Sequence, residues 1–387
     1  MKKRDVVVLN DMHPSDYPGA ASIALSHANY FASDLNIEFW HTTTRRFPKY
    51  PPQQIKIRTF YRNVHIDTFL RKSMAMRITS EFFPSFLFLR IILSLLLVRP
   101  KIVWVNQIGI RIPRIIVAFL NIFNIRTIQT FHDFSVISPR KLYPVNLIEP
   151  GVAVLSGNRL INMIYSARRK LIIKLSNLNE NNICISQMQS EIFQQFNIQR
   201  ITTVPNGIEE CVCTFDSEFA NISKTVLFAG RVTGKGFERI CKVLRENPTW
   251  ILRAAGSSEL NSIGLSLLSK KQFNYIGYLA PSDLFKEIHK VDFVSIVSEC
   301  FDVYPTIALE ALMHGATPIC SSTTGVAKLI GQSGHGIVVK DSDEHINLDQ
   351  LKEDLIRKPR FSTDNISLRV SGEKYKSVFF PALFPTA

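Results

Sequence analysis

Short apolar runs alternate with stretches of helical periodicity along almost the whole chain, and this alternation restricts the fold more than any other feature. In the first half the runs fall at residues 6–10, 37–41, 102–105 and 127–131. In the second half they fall at 225–229, 250–254, 275–276, 293–297 and 317–320. Helical stretches lie between them, over 19–33, 113–124, 236–246, from 281 onward and over 305–314. A run of four or five apolar residues bounded by turn signals reads as a strand buried on both faces. Strands separated by helices make βα units and parallel sheets. A polar stretch at 197–222, containing Pro205-Asn206-Gly207, interrupts the pattern. The expected architecture is therefore α/β with two doubly wound domains, over 1–200 and 201–365. A closing segment, 366–387, is expected to pack back on the first domain. The length of 387 residues suits two domains, and 46% apolar residues with 27 Phe suffice for two large cores.

Open parallel sheets bind ligands beyond the carboxyl ends of their strands. Chemistry is therefore expected in the loops at 10–19, 132–140, 230–236 and 298–306.

The net charge of +14 is unevenly placed. Residues 41–130 hold fifteen Lys or Arg against two acids, Asp67 and Glu81. Such asymmetry points to an anionic partner. No nucleic-acid motif accompanies it, and the neighbouring aromatics are Phe within apolar runs, so nucleic acid is not the expected partner. An anionic membrane surface and a plain solvated basic face both fit. The run FLFLRIILSLLLV at 86–98 is too short to span a bilayer and contains Arg90. It reads as a helix leading into a buried strand, or as a helix whose exposed apolar face lies on a membrane. The first residues pass directly into the apolar run 6–9, too short for a signal-peptide core, so a cytoplasmic location is expected. Six Cys (184, 211, 213, 241, 300 and 320) form no CxxC pair, which argues against a disulfide framework or a zinc site.

Four clusters carry candidate chemistry. The segment from Ser298 to Glu310 follows a strand and enters a helix, with Asp302 at the helix mouth and Glu310 inside it. Backbone N–H groups around Pro305, Thr306 and Ile307 would sit at the positive helix end, where phosphate or hydroxyl groups bind. The bland alternative is a helix cap and an unrelated helix acid. The loop Gly230-Arg231-Val-Thr-Gly234-Lys235-Gly236 also joins a strand to a helix. Arg231 offers a planar fork and Lys235 a compact charge, both suited to a diphosphate. Its spacing matches neither the dinucleotide fingerprint nor the P-loop, and a basic surface turn reads equally from it. His132-Asp133 follows the run at 127–131, as a hydrogen-bonding or proton-transfer group or as an ordinary loop histidine. Gly19 and Ala20, in the loop Pro18–Ser22, would let an acceptor or phosphate approach the first helix, or simply start that helix.

Taken together and in this order, these residues resemble the retaining glycosyltransferases of family 4. These belong to the bacterial polysaccharide and lipopolysaccharide type of group 1 glycosyltransferase. The resemblance covers most of the chain and is strongest over about 200–340. It is carried by Pro18–Ala20, His132-Asp133, Val204–Gly207, Gly230-Arg231…Lys235-Gly236, the pair Asp302…Glu310, Gly315–Pro318 and Thr324-Gly325-Val326. It implies the GT-B architecture, two Rossmann-like domains facing each other across a cleft. It also implies that Arg231 and Lys235, with Gly230, Tyr304, Pro305, Thr306 and Ile307, bind the donor, its diphosphate lying on the two cations. Glu310 would hold the ribose and Asp302 the hydroxyls of the transferred sugar, with His132 near the reacting centre. Two features depart from the family pattern. The first acid is Asp302 rather than Glu, one methylene shorter, and Glu299 beside it has the wrong spacing. Arg231 and Lys235 also stand one residue closer than is usual.

The resemblance further implies transfer of a hexose from a UDP- or GDP-linked donor to a glycan acceptor. That acceptor is expected to be lipid-linked, at the inner face of a membrane, in synthesis of O-antigen, capsule or exopolysaccharide. No metal or other cofactor is expected, the nucleotide-sugar being a substrate. A sugar-nucleotide epimerase of the same architecture and a non-catalytic binding protein are the competing readings.

Overall fold

The structure, a computed structural model, describes residues 4–13, 18–43, 54–61, 81–82, 85–138, 143–144, 159–209, 224–340, 345–356 and 366–383. Cys211, Cys213 and most of the basic stretch at 44–80 lie outside the described residues. The chain divides into two compact units. One is Met1–Lys141, Glu149–Gly207 and Leu368–Ala387, and the other is Leu142–Ile148 and Ile208–Ser367.

The elements run in order β1 (Val6–Asn10), α1 (Pro18–Tyr30), β2 (Ile37–Thr43), β3 (Lys56–Tyr61), α2 (Phe86–Val98), β4 (Ile102–Gln107), α3 (Ile116–Ile122), β5 (Arg126–Phe131) and β6 (Tyr143–Pro144). They continue through α4 (Arg159–Ser176), β7 (Asn181–Cys184), α5 (Gln187–Gln195), β8 (Ile201–Thr203), β9 (Thr225–Gly230), α6 (Phe237–Glu246), β10 (Ile251–Gly256), α7 (Glu259–Leu267) and β11 (Phe273–Gly277). The last are α8 (Pro281–Ile288), β12 (Phe293–Ile296), β13 (Cys300–Phe301), α9 (Thr306–Met313), β14 (Thr317–Ser321), α10 (Ala327–Ser333), β15 (Ile337–Val339), α11 (Leu348–Ile356) and α12 (Leu368–Leu383).

The first unit carries a seven-stranded parallel sheet in the order β3-β2-β1-β4-β5-β7-β8. β1 is buried along its whole length because both sheet faces are covered. Val6, Val8, Ile102 and Trp104 point into one core with α1 and α12. Val7, Leu9, Val103 and Val105 point into the other with α2 and α3. The second unit carries a six-stranded parallel sheet in the order β11-β10-β9-β12-β14-β15. In each sheet the chain starts in the middle, builds outward one way, then returns to build the other. The reversal falls between β1 and β4 in the first sheet and between β9 and β12 in the second.

Two helices differ in extent from the sequence expectation. The helix expected over 19–33 ends at Tyr30 and tightens into a 3₁₀ turn over Phe31–Ser33. Buried Phe31 pins that turn, and its carbonyl accepts from both Asp34 and Leu35. The helix expected over 113–124 begins only at Ile116; Arg114 and Ile115 form a turn before it, with the Arg114 N–H donating to Glu81 O. It ends at Ile122, before Asn124 turns left-handed at φ 54°. In the two parallel sheets, β3, β7, β8 and β15 were not anticipated; β3, β8 and β15 are edge strands and β7 is only four residues long, with two Asn in it.

The chain end belongs to the first unit. Tyr375 and Phe379 of α12 are buried against Phe31 and Trp104, with ring centroids 5.2–6.4 Å apart. Ser371 donates to Pro205 O at 2.6 Å and lies 2.8 Å from His27 Nε2, tying α12 to both α1 and the end of the sheet. Removing a buried Phe ring leaves a cavity that costs about 3–5 kcal/mol. Phe379→Ala should lower the unfolding free energy of the first unit by that amount, read from Trp104 fluorescence during denaturation.

Candidate functional site

The reversal point of the second sheet carries two of the predicted clusters, where neighbouring loops leave a parallel sheet in opposite directions. In the second unit the loop 231–236 leaves β9 and the loop 297–305 leaves β12. Gly236 has φ 76°, and a Cβ there would lie 1.9 Å from Val297 O, so only glycine allows the two loops to meet. Gly234 O accepts from Glu299 N at 3.3 Å and from Cys300 Sγ at 3.2 Å. Gly230 closes β9 with its carbonyl turned toward Gly256, where a Cβ would lie 2.0 Å from it.

This loop contact brings Lys235 and Asp302 together. Lys235 Nζ lies 2.5 Å from Asp302 Oδ2, and the Ser298 hydroxyl donates to the same oxygen at 3.2 Å. The Asp302 backbone is held independently: its N–H donates to Thr323 O at 3.3 Å and its carbonyl accepts from Gly325 N at 2.7 Å. The Thr324-Gly325 segment thus fixes the shorter acid where Lys235 can reach it. Arg231 is exposed, and Glu299 is exposed beside the pair. Pairing of Lys235 with Asp302 was not legible from spacing, because it joins loops 67 residues apart.

Pro305 caps α9 without a side-chain hydrogen bond, so no side-chain oxygen satisfies the N–H groups of Thr306 and Ile307. Tyr304 and Ile307 pack beside the core formed by Leu309, Leu312 and Val326. Burial pushes the Tyr304 phenol well up, so it stays neutral. Burial also lifts the Glu310 carboxyl to about 7, against the Thr306 hydroxyl, which lowers it.

In the first unit His132 follows β5. Asn106 joins it to β1 and α1: His132 Nε2 lies 2.7 Å from Asn106 Oδ1, and Asn106 Nδ2 donates to Asn10 Oδ1 at 2.9 Å and to Ala20 O at 3.2 Å. The two acceptors on Nδ2 fix the amide orientation, so Oδ1 faces the imidazole and can only accept. His132 therefore carries its proton on Nε2. Burial lowers it to about 4, with the Asp133 charge opposing, so the ring is neutral near pH 7. Asp133 itself accepts from Ser135 N at 2.8 Å, closing its own turn.

Asn106 reaches these partners through an irregularity in β4. Leu9 pairs with Val105 and Asn10 with Gln107, which leaves Asn106 as the extra residue. Sequence reasoning missed Asn106 and Asn10; the signal present was an Asn directly after each apolar run, at 10 and 106. Gly19 and Ala20 form the first turn of α1, the helix start that was one of the two readings of this segment. A Cβ at Gly19 would meet nothing within 4 Å.

Cys184, Cys241, Cys300 and Cys320 are free and buried, and burial raises all four thiols. Among the described residues no group of three His, Cys, Asp or Glu forms a metal cluster.

Residues 214–366 match the family model for glycosyl transferases group 1. No curated protein sequence matches the chain. Solved structures match it over nearly its whole length at low identity. Anabaena HepE in complex with UDP is 12% identical, covering 98% of this chain and 96% of its own, with a TM-score of 0.63. Sucrose-phosphate synthase from Thermosynechococcus elongatus is 11% identical, covering 98% and 96%, with a TM-score of 0.64. WaaG, a glycosyltransferase involved in lipopolysaccharide biosynthesis, is 10% identical, covering 98% and 97%, with a TM-score of 0.60. The chain has the fold of these GT-B enzymes, two parallel-sheet α/β units.

Glu310 and Asn106 each make a measurable prediction. Glu310 titrates at about 7 in the folded chain against an ordinary 4.5. A raised carboxyl contributes stability below its unfolded value and loses it as pH rises through the folded value. Melting temperature should therefore fall between pH 5 and 8 more steeply in the wild type than in Glu310→Gln. Asn106→Ala leaves His132 Nε2–H, Asn10 Oδ1 and Ala20 O without this partner and should cost about 1–3 kcal/mol in urea unfolding.

Proposed function

We propose that this protein is a retaining glycosyltransferase of family 4, moving a hexose from a UDP- or GDP-linked donor to a glycan acceptor. The observation that carries the reading is the Lys235–Asp302 pair, built by two loops that meet at the carboxyl ends of β9 and β12, just ahead of the open end of α9. It lies wholly within the segment that matches the group 1 glycosyl transferases. The UDP bound by HepE supports a uridine donor, and the role of WaaG supports a lipid-linked acceptor in cell-surface polysaccharide synthesis at the inner face of a membrane.

In this reading the donor diphosphate takes its positive charge from Arg231, Lys235 and the N–H groups of Thr306 and Ile307, without a metal. Glu310, losing its proton as it gains ribose hydroxyl donors, accepts from the nucleoside. Asp302 shares its two oxygens between Lys235 and the hydroxyls of the sugar. The bond from the anomeric carbon to the diphosphate oxygen breaks, and a bond to the acceptor hydroxyl oxygen forms on the same face. The acceptor proton passes to the departing phosphate oxygen. His132, with Nε2–H held by Asn106, offers Nδ1 as an acceptor for a substrate hydroxyl.

Calorimetry with UDP and GDP, followed by donor-turnover assays, tests the assignment. Losing a charged hydrogen-bond partner costs about 1.5–3 kcal/mol, so Glu310→Ala and Lys235→Ala should each weaken nucleotide binding about 10- to 100-fold. Asp302→Asn should lower turnover more than it lowers nucleotide affinity. Unchanged activity in Glu310→Ala sinks the assigned site. Conversion of the donor sugar with no acceptor present would point to an epimerase, and failure to bind either nucleotide to a non-catalytic protein.

A further inference from the structure

A helix that is apolar on every side rests stably in water only when both of its faces are covered. α2 has the sequence FLFLRIILSLLLV, with Arg90 its one charge. Leu87, Phe88, Ile91, Ile92 and Leu95 are buried against the sheet. On the opposite side Phe86 is 77% exposed, Leu89 51%, Leu93 60% and Leu97 83%. Their spacing of three or four residues sets them in one stripe along the helix.

Exposed apolar side chains also occur on the neighbouring helices. α2 packs beside α3 and α3 beside α4. Ile122 and Phe123 are exposed at the end of α3, as are Leu160, Met163 and Ile164 in the first half of α4. Most of the large apolar side chains exposed by the described residues lie on these helices or directly after them. The charges on this side have one sign. None of the three helices contains an acid, and Arg90, Arg99, Arg159, Lys170 and Lys174 are exposed among or beside them. The neighbouring acids are already engaged: Glu81 with buried Arg168 at 2.7 Å, and Glu180 with Arg126 at 3.7 Å.

We propose that this face docks on an anionic lipid bilayer, with α2 lying flat in the headgroup boundary. Thirteen residues make a helix about 20 Å long, too short for a core of about 30 Å but sufficient to lie in the interface. Among the described residues no helix is long and apolar enough to cross a membrane. Phe86, Leu89, Leu93 and Leu97 enter the acyl boundary, and the flanking Arg and Lys side chains meet lipid phosphates. A second copy of this chain is a poorer occupant. A two-fold contact through this face would set one acid-free basic surface against another. The inference shares only the membrane with the proposed function and needs neither donor nor acceptor.

Co-sedimentation of the full chain with vesicles tests it, using phosphatidylcholine alone and phosphatidylcholine mixed with phosphatidylglycerol. The wild type should bind the mixed vesicles, release in high salt and leave the neutral ones largely unbound. Leu93→Ser/Leu97→Ser should weaken binding about tenfold or more, since each buried apolar side chain contributes. Lys170→Glu/Lys174→Glu should weaken it on mixed vesicles only. Both variants substitute exposed positions, so circular dichroism should be unchanged and UDP binding should match the wild type. Equal binding of wild type and Leu93→Ser/Leu97→Ser overturns the proposal, as does absence of binding to mixed vesicles. A wild-type dimer that Leu93→Ser/Leu97→Ser converts to monomer, without vesicle binding, would give the face to a second copy instead.

Discussion

A parallel sheet covered by helices has no wet face, and in this chain that condition governs where any chemistry can stand. Every residue of β1 is buried, and β4 beside it is apolar on both sides as far as Val105. Polar groups within such strands would each need a partner in the core. Inside the strands, Glu38 accepts from Arg4 and Trp40 and Asn182 donates to Ser176 O, while the groups of the candidate site stand where strands end. Asn10, Asn106 and His132 mark the carboxyl ends of three adjacent strands in the first unit. Gly230-Arg231 and Ser298–Asp302 mark those of two adjacent strands in the second. The irregularity at Asn106 turns one more polar side chain into that layer without disturbing the apolar register below it.

The same burial sets the charge state of what stands there. Desolvation lowers His132 and raises the Glu310 carboxyl, so in each the charged form is disfavoured. Lys235 and Asp302 neutralise each other across two loops. In the proposed function a nucleotide-sugar would supply hydroxyl donors that favour the Glu310 carboxylate and phosphate oxygens that compete with Asp302 for Lys235. Aspartate rather than glutamate at 302 is consistent with this arrangement. The shorter acid is anchored through its own backbone to Thr323 and Gly325, and Lys235 meets it at 2.5 Å.

Features governed by local periodicity were legible in the sequence, and features made by long-range contact were not. The apolar runs located most of the strands and the loops that follow them, because burial on both faces leaves a continuous apolar signature. β3 escaped because an edge strand is half wet and its run is mixed. Asn106 escaped because a bulge is a relation between two strands, not a pattern within one. The Lys235–Asp302 pair escaped for the same reason. Tyr375 and Phe379 likewise gain their meaning only from Phe31 and Trp104, far away in the chain.

Charge shows most clearly how far composition can mislead. The basic excess at 41–130 suggests a broad cationic surface, yet several of its members are spent inside the first unit. Arg111 is buried and donates to Thr42 O, and Arg114 is buried beneath Gly109, its Nη2 donating to the Ser135 hydroxyl. Such side chains hold loops and contribute little field outside. What remains exposed near the apolar stripe, Arg90 and Arg99, is joined by Arg159, Lys170 and Lys174 from α4, which lies outside the biased stretch altogether. A surface able to meet anionic lipid is therefore defined by the residues the fold leaves uncovered, apolar and basic together, rather than by the segment where the Lys and Arg are densest.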